Sequence, residues 1–248
     1  MKTKISLIVL GASLLMVVHF MNENSNGNQT KNYQKASFSF IKCTPTKYML
    51  DVVDTTQQIS PLFNNLGNLH FPISTENERA QAFFDQGVKL SYAFNHAEGH
   101  RSFMEAARLD PSSAMSYWGQ AFALGPNIND PLPDDERKNK INEAIVKARN
   151  LAAKAGPKEK ALIEALATRY SEHLTGDIAE LNMEYMNAMA KVVKRFPEDA
   201  NIQILYAASV MNTVPWNYWD KDGNPSPNIK EAKAALETAM ELEPENPG

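Results

Sequence analysis

Residues 80–111, AQAFFDQGVKLSYAFNHAEGHRSFMEAARLDP, decide the fold. Ala80, Phe83, Phe84, Gly87, Val88, Ser91 and Phe94 recur at helical spacing. After a break, Phe103, Ala106, Ala107 and Leu109 mark a second apolar stripe. Pro111 closes the pair, because proline disfavours helical geometry in the residue before it. Gly99 falls where two antiparallel helices must approach closely, so the stretch reads as a helical hairpin with a small residue at its tightest point. Its pattern positions are Phe83, Gly87, Leu90, Gly99, Phe103, Ala106 and Pro111.

The same grammar continues downstream. A helix over Ser112–Leu124, with Ser112 or Ser113 as cap, stops at Gly125-Pro126, and a loop delays its partner, which runs from about Asp134 to Ala155. Gly156-Pro157 is a boundary with Gly past one helix end and Pro at the first turn of the next. Pro157–Leu174 and Asp177–Phe196 form a third pair, and a helix over Asp199–Asn212 is joined by the loop 214–228 to a last one. Upstream, Ser74 or Thr75 is placed to cap the first helix. One spacing recurs three times: Phe103-x-x-Ala106 to Pro111, Met189-x-x-Val192 to Pro197, and Leu236-x-x-Ala239 to Pro244. The expectation is an all-α protein of eight helices in four antiparallel hairpins. A lone hairpin leaves its apolar stripe exposed, so neighbours must stack into a solenoid.

With those residues in hand, the chain from about Leu69 to Gly248 resembles tetratricopeptide repeat (TPR) proteins, whose pattern positions the first hairpin matches. It is more particularly similar to a group of exported, mainly bacterial members that share segments such as Tyr92-Ala93-Phe94-Asn95-His96, Ala114-Met115-Ser116-Tyr117-Trp118-Gly119, Gly125-Pro126-Asn127 and Trp216-Asn217-Tyr218-Trp219-Asp220. The resemblance implies a right-handed superhelix with a binding role, a protein or peptide partner and no cofactor. Gln86 departs from the pattern, standing where Leu is usual. Pro244–Gly248 resembles the start of another repeat, so the chain reads as cut short after Gly248.

Composition agrees with a folded body behind an amino-terminal lead. Of 248 residues 43% are hydrophobic, enough for a sizeable core. Net charge is −4, but residues 1–50 carry +5 and the remainder −9, a poor match for nucleic acid, whose phosphates need a basic face. Lys2 and Lys4 precede the apolar run 5–21, the layout of a secretory signal or of an uncleaved membrane tether. Residues 1–21 are therefore expected to direct export to the periplasm or cell envelope. Residues 22–68 read as a partly disordered linker and 69–248 as the helical domain. Cys43 is the single cysteine, so no internal disulfide forms.

The candidate site residues lie in loops. Trp216, Tyr218 and Trp219 occupy a long loop among prolines, off any helix stripe, and long loops in compact domains are often functional. Loops joining the two helices of a hairpin project from one edge, so this loop and residues 125–133, with Asn127 and Asp130, are expected on the same side. The competing expectation folds the rings back as a plug, with Asp130, Asp134, Asp135 and Glu136 complementing a helix dipole. Asp220 begins Asp-Lys-Asp-Gly-Asn, a calcium-like cluster whose glycine arrives two residues early, and a tight Asp-Gly turn explains it more simply. His96 and His100 share a helical face at metal-ligand spacing, yet lack a third ligand and fall at a hairpin turn where exposed polar residues are routine. They carry the alternative of a metal-binding protein or metal-dependent enzyme, as the aromatic loop carries that of a small-ligand or glycan binder. No catalytic triad, phosphate loop or paired cysteine nucleophile is found, and the leaning is away from an enzyme.

Overall fold

The computed structural model describes residues 54–170 and 177–248. The signal or tether, Cys43 and most of the linker lie outside them. The described residues are all-α: α1 (Glu78–Tyr92), α2 (His96–Leu109), α3 (Ala114–Leu124), α4 (Asp135–Leu151), α5 (Pro157–Ala167), α6 (Ile178–Arg195), α7 (Ala200–Met211) and α8 (Ile229–Leu242). A 3₁₀ turn, Ala152–Lys154, extends α4, and α5 ends at Ala167, short of the Leu174 that periodicity suggests. Each helix packs on the next in sequence, and α3 also packs on both α1 and α5.

Polar residues start most of these helices. Asn77 caps α1 by accepting from the amides of Arg79 and Ala80, while Asn95, Ser113, Asp134, Asp177 and Asp199 do the same for α2, α3, α4, α6 and α7. Each such cap is worth about 1 kcal/mol. Neither Ser74 nor Thr75 serves α1, because both are otherwise engaged: the Ser74 hydroxyl donates to Glu159, and the Thr75 hydroxyl to Asp110 at 2.6 Å.

The thrice-repeated spacing has one structural meaning. Asp110, Phe196 and Glu243, each just before the closing proline, share almost the same backbone angles, with φ −136°, −131° and −138° and ψ 88°, 62° and 80°. Their amides donate to Ala106, Val192 and Ala239, the last residue of the repeated motif in each copy. Two residues after each proline, the amides of Ser113, Asp199 and Asn246 return to the carbonyls of Asp110, Phe196 and Glu243 at 3.1, 3.4 and 3.0 Å. Sequence repetition here is repetition of a turn.

The core forms around Phe103 of α2. A β-carbon added to Gly87 of α1 would lie 2.6 Å from Phe103 Cε1, and one added to Gly119 of α3 would fall closer still to the same ring. The aromatic side chain is thus clamped between two helices that expose only backbone to it. Phe84 packs beside it with ring centroids 5.3 Å apart, and Trp118, fully buried, donates its indole N–H to the Leu162 carbonyl of α5 at 3.2 Å. Gly99 marks the other close approach: a β-carbon there would meet the Gly87 carbonyl at 3.1 Å.

Residues 59–73 lie along α1 and α2 as an irregular arm, although their composition had placed part of them in a linker. Their backbone groups are satisfied by side chains of the helices. Ile59 N–H donates to Glu105, Phe63 N–H to Gln86 and Phe71 N–H to Asp85, at 2.9, 2.7 and 2.9 Å. Phe71 is fully buried, edge-on to Phe84. Gln86 explains its own departure from the repeat pattern: its amide nitrogen donates to the Pro61 carbonyl at 2.8 Å and to the Ser102 hydroxyl at 3.0 Å, both inaccessible to a leucine. Gln86→Leu, which restores the usual repeat residue, is therefore expected to destabilise the fold by about 2 kcal/mol, since it strands buried polar groups. Urea denaturation measures this, and a stability equal to or above wild type contradicts the arm's anchoring role.

Candidate functional site

The α3–α4 loop is built around charge that the core hides. Arg137, in the first turn of α4, is 1% exposed, and its guanidinium donates to the Leu124 carbonyl from Nε at 3.2 Å and Nη2 at 2.8 Å. It thereby satisfies the end of α3, while Nη1 binds the equally buried Asp130. Asp134, not Asp130, serves the helix start, so the reading of Asp130 as a dipole-complementing residue is corrected. Asn127 shapes the loop: its side-chain oxygen accepts from the amides of Asn129 and Asp130 at 2.9 and 3.0 Å.

The α7–α8 loop reaches across to this one. The Trp216 indole N–H donates to the Ile128 carbonyl at 3.0 Å, joining the two loops at one edge. Trp216 holds φ +64°, a left-handed conformation costly for a bulky residue, and its ring remains 61% exposed. Trp219 is 54% exposed, so neither indole is a plug. Tyr218 lies half-buried between them, edge-on to Trp219 at 6.3 Å and packed with Val210 and Ile229. Asp220 is a turn residue: its carboxylate accepts from the amides of Asp222 and Asn224 at 2.9 and 2.8 Å and from the Asn224 side chain, bonds that hold it below the usual carboxylate range. Gly223 supplies the positive φ of that turn, +81°, and the isolated bridge between Trp219 and Pro225 closes it.

Beneath the joined loops lies a cavity of about 210 Å³ lined by residues of α1, the start of α2, α3, α6, α7 and α8. Its walls are mostly apolar, with Phe122, Ile204, Leu205 and Met211 among them. Phe94, at its rim, takes φ +59° where a helix end usually places glycine, and its ring is exposed. Its polar lining residues include Tyr92, His96 and Arg169, with Ser91, Asn127, Tyr185, Ser209 and Asn212. Neither nitrogen of the His96 ring, nor the Tyr92 hydroxyl, has a hydrogen-bond partner among the described residues. Arg169 is 3% exposed; its Nε and Nη2 donate to the Asn182 side-chain oxygen at 2.8 and 2.6 Å, and the guanidinium lies 5.2 Å over the Tyr185 ring. No carboxylate among the described residues pairs with it. It also walls, with Pro126, a neighbouring cavity of about 330 Å³ that includes Lys138.

His96 and His100 are not the exposed turn residues that their position suggests. Both are buried in the first turns of α2, and burial, aided for His96 by the nearby Arg137 and for His100 by Arg101, pushes each imidazole down to about 4. Among the described residues no group of three or more His, Cys, Asp or Glu side chains converges as a donor set, so the pair has no third ligand. Sequence reading missed Arg137 and Arg169 altogether. Each sits amid polar residues that look like ordinary solvated surface, and only tertiary packing shows which cation is enclosed. Comparison of the chain with protein-family models, with curated proteins and with solved structures returns no match.

Two consequences are measurable. Asp130→Ala leaves the buried Arg137 cation uncompensated and is expected to cost about 3–5 kcal/mol by chemical denaturation. Asp135→Ala, at an exposed pair with Lys138, should change stability by less than about 1 kcal/mol. The histidines give a pH dependence. Each binds its proton near pH 6.5 when unfolded but only near 4 when folded, so the unfolded state holds more protons between those values and stability falls as pH drops through that window. From pH 6.5 to 5 the loss should be about 1–2 kcal/mol per histidine. Replacing both by glutamine should flatten this part of the curve, and an unchanged slope contradicts the assignment.

Proposed function

We propose that this chain is an exported tetratricopeptide-repeat-like scaffold, a right-handed stack of helical hairpins that docks a protein or peptide partner on the edge formed by its two long loops. The observation that carries the reading is the hydrogen bond from Trp216 to Ile128, which fuses two loops from different hairpins into one surface and leaves two indoles facing solvent. Large aromatic rings offer apolar area at low entropic cost and are favoured anchors at protein interfaces. The repeated helix-closing turn and the packing of α3 on both α1 and α5 support the stacked-hairpin arrangement. Export rests on the Lys2–Met21 segment alone.

The test uses the full-length protein from its native host. Partners captured by wild type are compared with those captured by the double variant Trp216→Ala/Trp219→Ala, with thermal unfolding as the check on folding. Hot-spot aromatics at an interface cost about 2 kcal/mol or more when truncated, so the expected result is loss of the partner from the variant at unchanged stability. An identical partner set removes the loop edge from the mechanism.

A further inference from the structure

The cavity under the loops has a chemistry that the docking edge does not use. Its walls are mostly apolar, it is partly open, and its polar lining residues include a guanidinium that meets no carboxylate among the described residues, together with an imidazole and a phenol without hydrogen-bond partners among them. His96 is 7% exposed and Arg169 3%, so neither is satisfied by bulk water in the ordinary way of a surface residue. A buried cation is tolerable when an anion and further hydrogen bonds compensate it, and Asp130 does this for Arg137. At Arg169 no compensating anion is found among the described residues. Asn182, fixed in turn by its donation to the Asn212 carbonyl at 3.1 Å, occupies Nε and part of Nη2 and holds the guanidinium plane in place. The Tyr170 side chain also hydrogen-bonds the guanidinium, and the donors that remain of a five-donor group are left for another acceptor.

We propose that this cavity is a binding site for a compact organic acid, an apolar ring or branched chain bearing one carboxylate, with Arg169 as the counter-charge. Size and lining choose among anions. An apolar cavity of about 150 Å³ accepts a benzene molecule, so about 210 Å³ leaves room for a ring and a short acidic arm but not for a folded segment of a partner. One guanidinium matches the single charge of a carboxylate better than the nearly double charge of a phosphate. The apolar walls take the body of the acid, as in most small-molecule sites. Neither Trp216 nor Trp219 lines the cavity, although Ile128, which accepts the Trp216 bond, does, and the site stands whether or not the two indoles dock a partner.

Phenylacetate is the probe, with its neutral amide phenylacetamide as the matched control, both titrated calorimetrically into the full chain. Phenylacetate is expected to bind, and phenylacetamide to bind about tenfold more weakly or not at all, because it forfeits the charge-assisted pair. Arg169→Gln should abolish the preference for acid over amide. Ala208→Leu, which fills the cavity while keeping Arg169, should abolish binding of both. The two variants act by different means, and the acid–amide comparison on wild type needs neither. Absence of phenylacetate binding to wild type, equal affinity for the amide, or undiminished binding by folded Ala208→Leu would each overturn the proposal. A hexapeptide ending in a free Phe carboxylate is the last arm: tighter, Arg169-dependent binding of that peptide than of phenylacetate assigns the site to a chain terminus and overturns the free acid. Trp216→Ala/Trp219→Ala should leave phenylacetate binding unchanged, so failure of the docking edge and failure of the acid site are read separately.

Discussion

The Phe103 ring lodged between Gly87 and Gly119 sets the geometry on which the rest depends. Helices joined by short turns have freedom to slide and rotate, and a ring pressed against bare backbone on two sides removes it, because any shift either opens a void or drives the ring into a carbonyl. With α1, α2 and α3 locked in this way, α3 becomes the shared wall between α1 and α5, and Trp118 extends the lock through its bond to Leu162. The arm then has a fixed groove to follow. Its backbone depends on Gln86, Asp85 and Glu105 being held in place, and those side chains belong to helices whose register Phe103 has already chosen.

A regular turn closes three of the helices, and the irregular loops open elsewhere. The turn at Pro111, Pro197 and Pro244 is short and returns its amides to carbonyls at the helix end, so it leaves little for a ligand to engage. The loops after α3 and α7 do the opposite. They hide an ion pair and hold Trp216 in a left-handed conformation, as the α1–α2 turn holds Phe94, each at a cost on the order of 1–3 kcal/mol, and both rings remain in solvent. Strain that stability alone would remove, at two aromatic residues near one cavity, is the sort of feature that function retains.

How much of this was legible follows from the range of the interactions. Helices, caps and the repeated turn are local, and apolar period, capping residues and prolines specify them within a dozen residues; even the close approach at Gly99 could be read from its offset. The meeting of the two loops was a topological expectation, and the contact between Trp216 and Ile128 gives it an atomic form. Gln86 could only be seen as an exception, because its partners Pro61 and Phe63 lie more than twenty residues away in a stretch of no clear period. The histidines misled because spacing gives shared faces and says nothing about which way a face points. Arg169 was invisible for the same reason: its meaning lies in its burial without a carboxylate among the described residues, which a sequence does not display.

The two enclosed guanidiniums complete the comparison. Arg137 spends its donors on α3 carbonyls and on Asp130, so its charge is neutralised by the chain and its role ends with the fold. Arg169 is held as firmly, by Asn182 and Tyr170 and by Tyr185 at its face, yet meets no carboxylate among the described residues. Removing a charge from water costs several kcal/mol after relaxation, and a fold selected for stability alone would place a Met or Gln there. A neutral residue would make the cavity another packing defect. A fixed cation makes it selective, since an uncharged molecule of the same shape gains only the walls, whereas an acid also relieves the protein of an uncompensated charge.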